Sequence, residues 1–412
     1  MTNVAILGYG VVGSGVAEVI YKNAEILSAK AGSRLEVKYI LDIRDFADDP
    51  YLDRIIRDFS IIENDPAVSV VVETIGGKTF AYDFTKRALL AGKHVVTSNK
   101  ELVAAYGHEL LALAREKNLN YLFEASVGGG IPIIRPLSQC LAANRFYEIC
   151  GILNGTTNYI LTRMLRAGLS FDDALREAQL NGYAESNPSA DIDGLDTCRK
   201  ICILSDLAFG KHISPERVYT EGIRNITLED IRNADSAGMT IKLLGRTVNR
   251  DGRLHIITAP HLVPLGNPLA MVEDVFNGIV VKGDAIGETM FYGRGAGKFP
   301  TASAVVGDII DTVKHLGNAK TLYWSSGGDE ILASPDSGRQ RYYLRFGGTN
   351  AAPLVRGILR EVKELNVSGH FACITGPLDG GMAADLVKRL EASGSPVLAA
   401  IRVIDQEAAV QW

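Results

Sequence analysis

The sequence predicts an α/β protein: a doubly wound parallel sheet over the first third of the chain, an α+β domain after it, and a C-terminal α/β sandwich. Three observations carry this. Short Val-rich runs alternate with helical segments up to about residue 130. The runs are apolar throughout rather than two-faced, as strands covered on both sides must be. A glycine loop, "GYGVVGSG", stands directly between the first run and the first helix.

Taken in order, "NVAILG" reads as a buried strand, and "SGVAEVIYKNAEILSAK" has the three-four apolar spacing of a helix. "LEVKYILD", "VSVVVETIG", "KHVVTSNK" and "LNYLFEAS" are further strands, with the helical "FTKRALLAG" and "ELVAAYGHELLALAREK" among them. Together they predict a Rossmann-type nucleotide domain over residues 1–135. It is completed by about 295–320, where "GRGAGKFPTASAVVGDIIDTVKHL" supplies a glycine loop and a returning helix. Residues 136–294 form the α+β domain for substrate binding and dimerisation. There "EICGILNGTTNYILTRML" joins a strand to a helix, and "TIKLLGRTVNRDGRLHIITAPHLVP" and "NGIVVKGD" read as antiparallel strands with a turn at Asn-Arg-Asp-Gly. "SSGGDEILASPDSGR" marks a linker at 321–340. Residues 341–412 read strand, helix ("APLVRGILREVKELN"), strand, helix, strand, a module large enough to fold separately.

With 412 residues, 47% hydrophobic and 22% charged, the chain has room for two or three domains with cores of their own. A net charge of -5 gives no electrostatic reason to expect nucleic acid or an anionic membrane, which leaves small metabolites as partners. The first residues enter a strand with no basic leader, and no run reaches membrane-spanning length; the expected location is the cytoplasm. Five cysteines, an odd number, fit a reducing compartment. Cys198 and Cys202 lack any companion at zinc spacing and read as packing residues.

Chemistry concentrates in five places. Gly8, Gly10 and Gly13 give G-x-G-x-x-G in the strand–turn–helix context that a dinucleotide needs: a tight turn, close approach of the pyrophosphate, and a helix N-terminus facing its charge. At the end of the second strand, Asp42 would bind an adenosine ribose hydroxyl while Arg44 would meet a 2'-phosphate, so cofactor choice stays divided. Ser98, Asn99 and Lys100 project at the carboxyl edge of the sheet, where ligands bind in such folds; the edge favours a site role for Lys100 over that of a solvated helix-start lysine. Around "FEASVGGGIP", Gly128, Gly129 and Gly130 either relieve crowding or leave carbonyls free for a hard cation. In "NGYAESNPSADIDGLDTCRK", Asp193 reads as the N-cap of a helix running to about Phe209. Asp196 and Lys200 then share one face at i and i+4. A helix-stabilising ion pair is the bland reading. Because the helix is otherwise apolar nearly all round, charges at its head argue for an active site in which Glu185, Asp191 and Asp196 receive an ammonium group and Lys200 moves a proton.

These motifs together resemble the homoserine dehydrogenase family over essentially the whole chain. "GYGVVGSG", "TSNK", "FEASVGGGIPII", "GILNGTTNYIL", "GYAESNPSADIDGLDTCRK" and "GRGAGKFPTASAVVGDI" occur in the family's order. The resemblance implies NAD(P)-dependent interconversion of L-aspartate 4-semialdehyde and L-homoserine on the route to threonine and methionine. It implies that Lys200 is the proton donor and acceptor, with Lys100 beside nicotinamide and substrate. It makes Glu185, Asp196, Asp191 and Gly182 the substrate-binding residues. Gly8, Tyr9, Gly10, Val11, Val12, Gly13, Arg44, Thr74, Ile75, Ser98, Lys100 and Gly297 would bind NADP or NAD. Backbone carbonyls of Glu124, Val127, Gly129 and Ile131 match a structural sodium site, and the assembly implied is a homodimer or homotetramer. The family's V-R-D segment aligns with Ile43, Arg44 and Asp45; it places Arg44 at the ribose, with Asp42 alternating away. The C-terminal module resembles an ACT domain, but its loop "NAAPLV" has Asn350 for the usual acid and Pro353 for the usual glycine, so a ligand loop built on that glycine would be altered. A dehydrogenase for another amino acid or semialdehyde would lack the ordered acid–lysine block. A non-catalytic sensor would have no use for Lys100 and Lys200.

Overall fold

The computed structural model describes residues 1–46, 49–320, 322–334, 337–348, 350–365 and 369–404. The chain divides into two compact units, one of Met1–Asn144, Cys202–Arg217 and Gly293–Glu330, the other of Arg145–Ile201, Val218–Tyr292 and Ile331–Trp412.

In the first unit, β1 (Thr2–Leu7), β2 (Leu35–Leu41), β3 (Ile55–Ile56), β4 (Val68–Glu73), β5 (His94–Thr97) and β6 (Tyr121–Leu122) lie in the order β3-β2-β1-β4-β5-β6. Every pairing is parallel. The order reverses between β1 and β4, and ligands of open α/β sheets bind at the carboxyl ends beside such a reversal. Helices α1 (Val11–Lys22), α2 (Ala24–Ala31), α3 (Phe59–Asn64), α4 (Thr79–Leu90) and α5 (Lys100–Glu116) belong to this unit, as does the later helix Lys298–Lys314. Val4 and Ile6 of β1 pack with Val16, Ala17 and Ile20 of α1 and with Ala302, Val305 and Ile309. Ala5 and Leu7, on the opposite face of β1, are equally buried, which is why the strands read as unbroken apolar runs.

The stretch 321–340 does not form one linker. Trp324 is fully buried in the first unit, edge-on to Phe123 at 5.6 Å between ring centroids. A Cβ at Gly107 would stand 2.5 Å from its ring, so a bare helix surface on α5 makes room for it. Residues from Ile331 onward go with the second unit. Glycine, serine and aspartate dominate this stretch, but one tryptophan decides where it lies.

The second unit contains β7 (Phe146–Ile152), β8 (Tyr219–Thr220), β9 (Met239–Arg250), β10 (Arg253–Pro264), β11 (Phe276–Gly283) and β12 (Gly287–Arg294, whose last two residues go with the first unit). It also holds α6 (Gly155–Ala167), α7 (Phe171–Leu180), α8 (Ser189–Ile192) and α10 (Leu228–Ser236), while α9 (Leu195–Phe209) contributes its first half here and its second half to the first unit. β9 and β10 pair antiparallel along their whole length, turning at Asp251 and Gly252, both with positive φ as a tight hairpin requires.

With the helix Lys298–Lys314 counted as α11, the C-terminal part reads β13 (Arg339–Gln340), β14 (Tyr342–Phe346), α12 (Ala351–Ile358), β15 (Val362–Leu365), β16 (Ala372–Thr375), β17 (Leu378–Asp379), α13 (Gly380–Ala392) and β18 (Val397–Val403). The helix expected over "APLVRGILREVKELN" stops at Ile358. Its second half becomes β15, because antiparallel pairing with β16, from Val362↔Thr375 to Leu365↔Ala372, overrides the helix preference of Glu, Lys and Leu. The order βαββαβ with spatial sequence β18-β14-β16-β15 is a ferredoxin-like arrangement. It does not stand apart as a separate sandwich: β18 pairs in parallel with β10 at His261↔Arg402 and Leu262↔Val403, giving one sheet in the order β12-β11-β7-β9-β10-β18-β14-β16-β15.

One core cluster joins the C-terminal strands to the rest of the unit. Tyr343, Ile374, Ile401 and Val403 share a cluster with Ile160 and Met164 of α6, Ile231 of α10 and Ile241 of β9. A buried polar joint accompanies it. Asp230, fully buried, closes a capping box with Thr227 at the head of α10 and also accepts from Arg345 Nε at 2.7 Å, Arg345 Nη2 at 3.1 Å and the Tyr343 hydroxyl at 2.9 Å.

Candidate functional site

In the first unit the glycine loop shows what each glycine is for. Gly8 has φ +87°, and its Cβ would meet the Thr74 carbonyl at 2.8 Å; a Cβ at Gly13 would stand 2.0 Å from the Gly8 carbonyl. Both are required by the protein's own backbone. Gly10 is different: its Cβ would meet only Arg44 Nη2, at 4.0 Å, in open space. Its φ of -79° also suits any residue, so nothing in the fold demands glycine there, and the bare backbone leaves room for a ligand to approach closely. Gly10 is the N-cap of the 12-residue α1 and offers no side-chain cap, with no acid in the first turn, which leaves the helix N-terminus suited to an anion. Tyr9 is buried, while Val11 is exposed and Val12 half-buried at the start of α1.

Expected behaviour separates the two kinds of glycine. Gly10→Ala melts like wild type and binds the dinucleotide at least about tenfold more weakly, a loss of ~1.4 kcal/mol; Gly13→Ala lowers the melting temperature. Nicotinamide fluorescence titration and thermal melts read the two effects, and wild-type binding by Gly10→Ala contradicts a phosphate role for the loop.

Asp42 does not turn away from the glycine loop. Its carboxylate accepts from the Tyr9 amide at 2.6 Å and from Arg44 through N (3.0 Å), Nε (3.0 Å) and Nη2 (2.8 Å). The Arg44 guanidinium holds the Asp42 carboxyl well below the usual range, against the opposing effect of burial. Arg44 itself remains exposed over half its side chain and lies against the Phe46 ring.

Thr74 uses its hydroxyl on the Leu7 and Gly8 carbonyls, at 2.9 and 2.8 Å, and so fixes the loop; Ile75 is exposed beside it. Beneath them lies Glu73, which the motifs do not single out. It is fully buried, accepts from the Ile75 amide at 2.8 Å and the Thr97 hydroxyl at 2.6 Å, and burial raises its carboxyl above the ordinary value. Asn99 caps α5 by accepting from Glu101 N and Leu102 N and donates to the Gly77 carbonyl at 2.7 Å. These bonds tie the segment after β4 to the segment after β5, where Ser98 and Lys100 stand. Lys100 is the first residue of α5, an end at which the helix dipole disfavours a cation, so helix stability does not explain it.

At the glycine-rich turn, the Glu124 carboxylate accepts from the amides of Ile133 (2.6 Å), Ile134 (2.7 Å) and Arg135 (2.8 Å). Gly129 has φ +57° with the Gly295 carbonyl 2.2 Å from where a Cβ would be, and the Ile131 carbonyl stands 2.3 Å from the Cβ position of Gly128. Val127 and Ile131 are buried. Asp308, buried beside this turn, accepts from Glu124 N at 2.8 Å and Arg135 Nη2 at 2.6 Å, and burial pushes its carboxyl up to about 8. Among the described residues, no group of three or more His, Cys, Asp or Glu could hold a metal ion. Gly297, φ +127°, is the N-cap of α11.

The second unit gathers the charged block. Asp193 is not the N-cap of α9: it ends α8 and pairs with Arg224, while the Gly194 carbonyl, after a turn at φ +83°, accepts the first helical bond from Cys198 N at 2.9 Å. Asp196 and Lys200 meet as foreseen by their spacing, Nζ to Oδ2 2.8 Å, with side chains 3% and 9% exposed. Lys200 Nζ also donates to the Leu153 carbonyl at 2.8 Å. Asn154, at the head of α6, donates to Asp191 Oδ1 at 2.7 Å and Asp196 Oδ2 at 2.9 Å. Three of the sequence's site residues therefore sit in one cluster, joined by an asparagine that lies in the motif "GILNGTTNYIL" but is not singled out there as a site residue. Asn followed three positions later by Thr at a strand-to-helix junction is an N-cap signal that could have drawn attention to it. Glu185 is exposed, with its carbonyl accepting from Gln179, and Gly182 terminates α7 with φ +72° and open space around its Cα. Neither touches Asp196 or Lys200 through any recorded bond.

A buried acid–lysine pair at the head of an apolar helix, in a chain with a dinucleotide loop, is suited to moving one proton at a substrate oxygen while a redox cofactor handles the electron pair. Comparison with known proteins bears on the class of reaction. Residues 132–310 match the family model described as homoserine dehydrogenase, and residues 8–124 the model for the NAD binding domain of homoserine dehydrogenase. A homoserine dehydrogenase of Neisseria gonorrhoeae is 42% identical over 98% of this chain and 95% of its own. The crystal structure of one from Thiobacillus denitrificans superimposes with a TM-score of 0.89 at 36% identity, covering 98% of both chains. A hyperthermophilic archaeal homoserine dehydrogenase in complex with NADPH has a TM-score of 0.64 at 31% identity and covers 76% of this chain and 97% of its own.

Proposed function

Because the chain belongs to the homoserine dehydrogenase family, an NAD(P)-dependent oxidoreductase acting on a small molecule, we propose that the Asp191–Asp196–Lys200 cluster is its substrate site. The enzyme interconverts L-aspartate 4-semialdehyde and L-homoserine. The observation that carries the site is the buried Asp196–Lys200 pair, whose desolvation no exposed ion pair would need. The nicotinamide cofactor, when bound, supplies or accepts the hydride. Lys200 protonates the substrate oxygen in reduction and takes the proton back in oxidation, and its charge stabilises the growing alkoxide. Asp196 and Asp191, with Glu185 and Gly182 completing the pocket, receive the substrate ammonium. Lys100 is the second residue to which the family resemblance gives a catalytic role. Gly8, Gly10, Gly13, Thr74, Ile75, Ser98 and Gly297 hold the dinucleotide.

Cofactor choice rests on Arg44. Its exposed guanidinium beside Gly10 is a bidentate partner for a 2'-phosphate, and a phosphate would draw it from Asp42. NADP(H) is therefore used at least as well as NAD(H). Arg44→Ala weakens NADP(H) by ~1.5–3 kcal/mol and spares NAD(H), since it frees the Asp42 carboxylate for ribose hydroxyls. Nicotinamide absorbance with homoserine and each cofactor in turn tests both statements; equal effects on the two cofactors would make Asp42 the selecting residue.

The family resemblance supports a structural sodium ion held by the backbone carbonyls of Glu124, Val127, Gly129 and Ile131, while the backbone crowding at Gly128 and Gly129 accounts for those two glycines by itself. The ferredoxin-like C-terminal part supports an ACT-like module, with Asn350 and Pro353 arguing against a standard threonine loop. The half-exposed edge strand β12 suits self-association as a dimer or tetramer. Among the described residues no helix is long and apolar enough to cross a membrane; cytoplasmic work in threonine and methionine synthesis is the setting that fits the chemistry.

A further inference from the structure

We infer that Asn154 is a positioning residue for substrate recognition: its carboxamide holds the carboxylates of Asp191 and Asp196 where together they receive an ammonium group. This rests on the reading that those acids bind the amino group of homoserine. The orientation of the amide is fixed by its neighbours. Thr157 N, 2.9 Å away, can only donate, so the atom facing it is Oδ1, and both N–H groups of Nδ2 are turned to the acids, 2.7 Å from Asp191 Oδ1 and 2.9 Å from Asp196 Oδ2. Two donors meet two carboxylates on different elements, α8 and α9, from a third, α6.

The chemistry of the choice is specific. Two neighbouring carboxylates each disfavour ionisation of the other. A neutral group with two donors stabilises both charged forms by hydrogen bonds and adds no positive charge to that of Lys200, so the acids keep a net negative field for a cationic ligand. A lysine or arginine at 154 would neutralise that field, and a leucine would leave the acids without these donors. The preceding residue completes the arrangement, because the Leu153 carbonyl accepts from Lys200 Nζ at 2.8 Å. One dipeptide at the end of β7 thus sets both the ammonium-binding acids and the proton-transferring lysine.

Asn154 also caps α6, and the test must separate the two jobs. Asn154→Ser keeps a capping oxygen and loses the two donors; Asn154→Asp keeps the cap and adds a third carboxylate. Asn154→Ser is expected to fold and melt near wild type, whereas Asn154→Asp, with a third carboxylate beside two others in a buried position, folds with a lowered melting temperature. In Asn154→Ser the homoserine KM rises at least about tenfold with the dinucleotide KM unchanged, and in Asn154→Asp it rises further. Calorimetric homoserine binding to the dinucleotide-loaded protein weakens in parallel. An unchanged homoserine KM and affinity in Asn154→Ser, or equal losses for both ligands as a simple capping role would give, overturns the inference. Lys200→Met run alongside tells this failure from a failure of the site itself: if that variant keeps its turnover the site assignment is wrong, whereas loss of turnover in Lys200→Met with unaffected homoserine binding in Asn154→Ser removes only Asn154.

Discussion

Deleting residues 341–412 yields a chain that does not fold cooperatively. The deletion takes Tyr343, Leu365, Ile374, Ile401 and Val403 out of a core they share with α6, α10 and β9. A fully buried side chain of this size is worth ~1.5–3 kcal/mol, so losing even four of them is comparable to the whole stability of a domain, about 5–15 kcal/mol. The deletion also strips Arg345 and the Tyr343 hydroxyl from Asp230, a fully buried carboxylate, and breaking a buried pair by removing one partner costs a further ~3–5 kcal/mol. The remaining sheet ends on β10, whose edge at His261 and Leu262 loses its partner β18. Size-exclusion chromatography and thermal circular dichroism of residues 1–340 should give aggregate and no sharp transition. A soluble, cooperatively melting fragment with activity would mean that the C-terminal part is an appended module after all.

Where the sequence was read well, the information was local. The glycine loop, the alternation of strands and helices, and the Asp196–Lys200 pair at i and i+4 each depend on residues a few positions apart, so pattern and spacing suffice. What escaped depends on partners far along the chain. Asp193 looks like an N-cap until Arg224, 31 residues on, claims it and Gly194 takes the helix start. Asn154 looks like part of a motif until Asp191 and Asp196, 37 and 42 residues away, turn it into a clamp. The segment after Ile358 has helical composition and becomes a strand because β16 needs a partner. Trp324 sits in a stretch of linker composition and is drawn into the first unit by the space that Gly107 leaves.

The second large effect is at Lys200. Replacing it with Met removes the group that moves the proton, and it also leaves Asp196 buried with one charged partner fewer. Two consequences follow with different signatures. Stability falls, because an acid in that position must either stay charged at a cost or take up a proton. Adding Asp196→Asn to Lys200→Met should restore much of the lost melting temperature, since a neutral amide there asks for no counter-charge, while activity stays lost. The single variant is the sharper probe of chemistry, because it keeps Asp196, Asp191 and Asn154 in place. The decisive measurement is therefore the turnover number of Lys200→Met for homoserine at saturating homoserine and cofactor, followed by nicotinamide absorbance on protein whose folding and dinucleotide affinity have been checked. A fall of at least ~10²-fold, the effect of losing a general acid–base group, with dinucleotide affinity unchanged, is the predicted result. Turnover within a few-fold of wild type would contradict it and take Lys200 out of the mechanism.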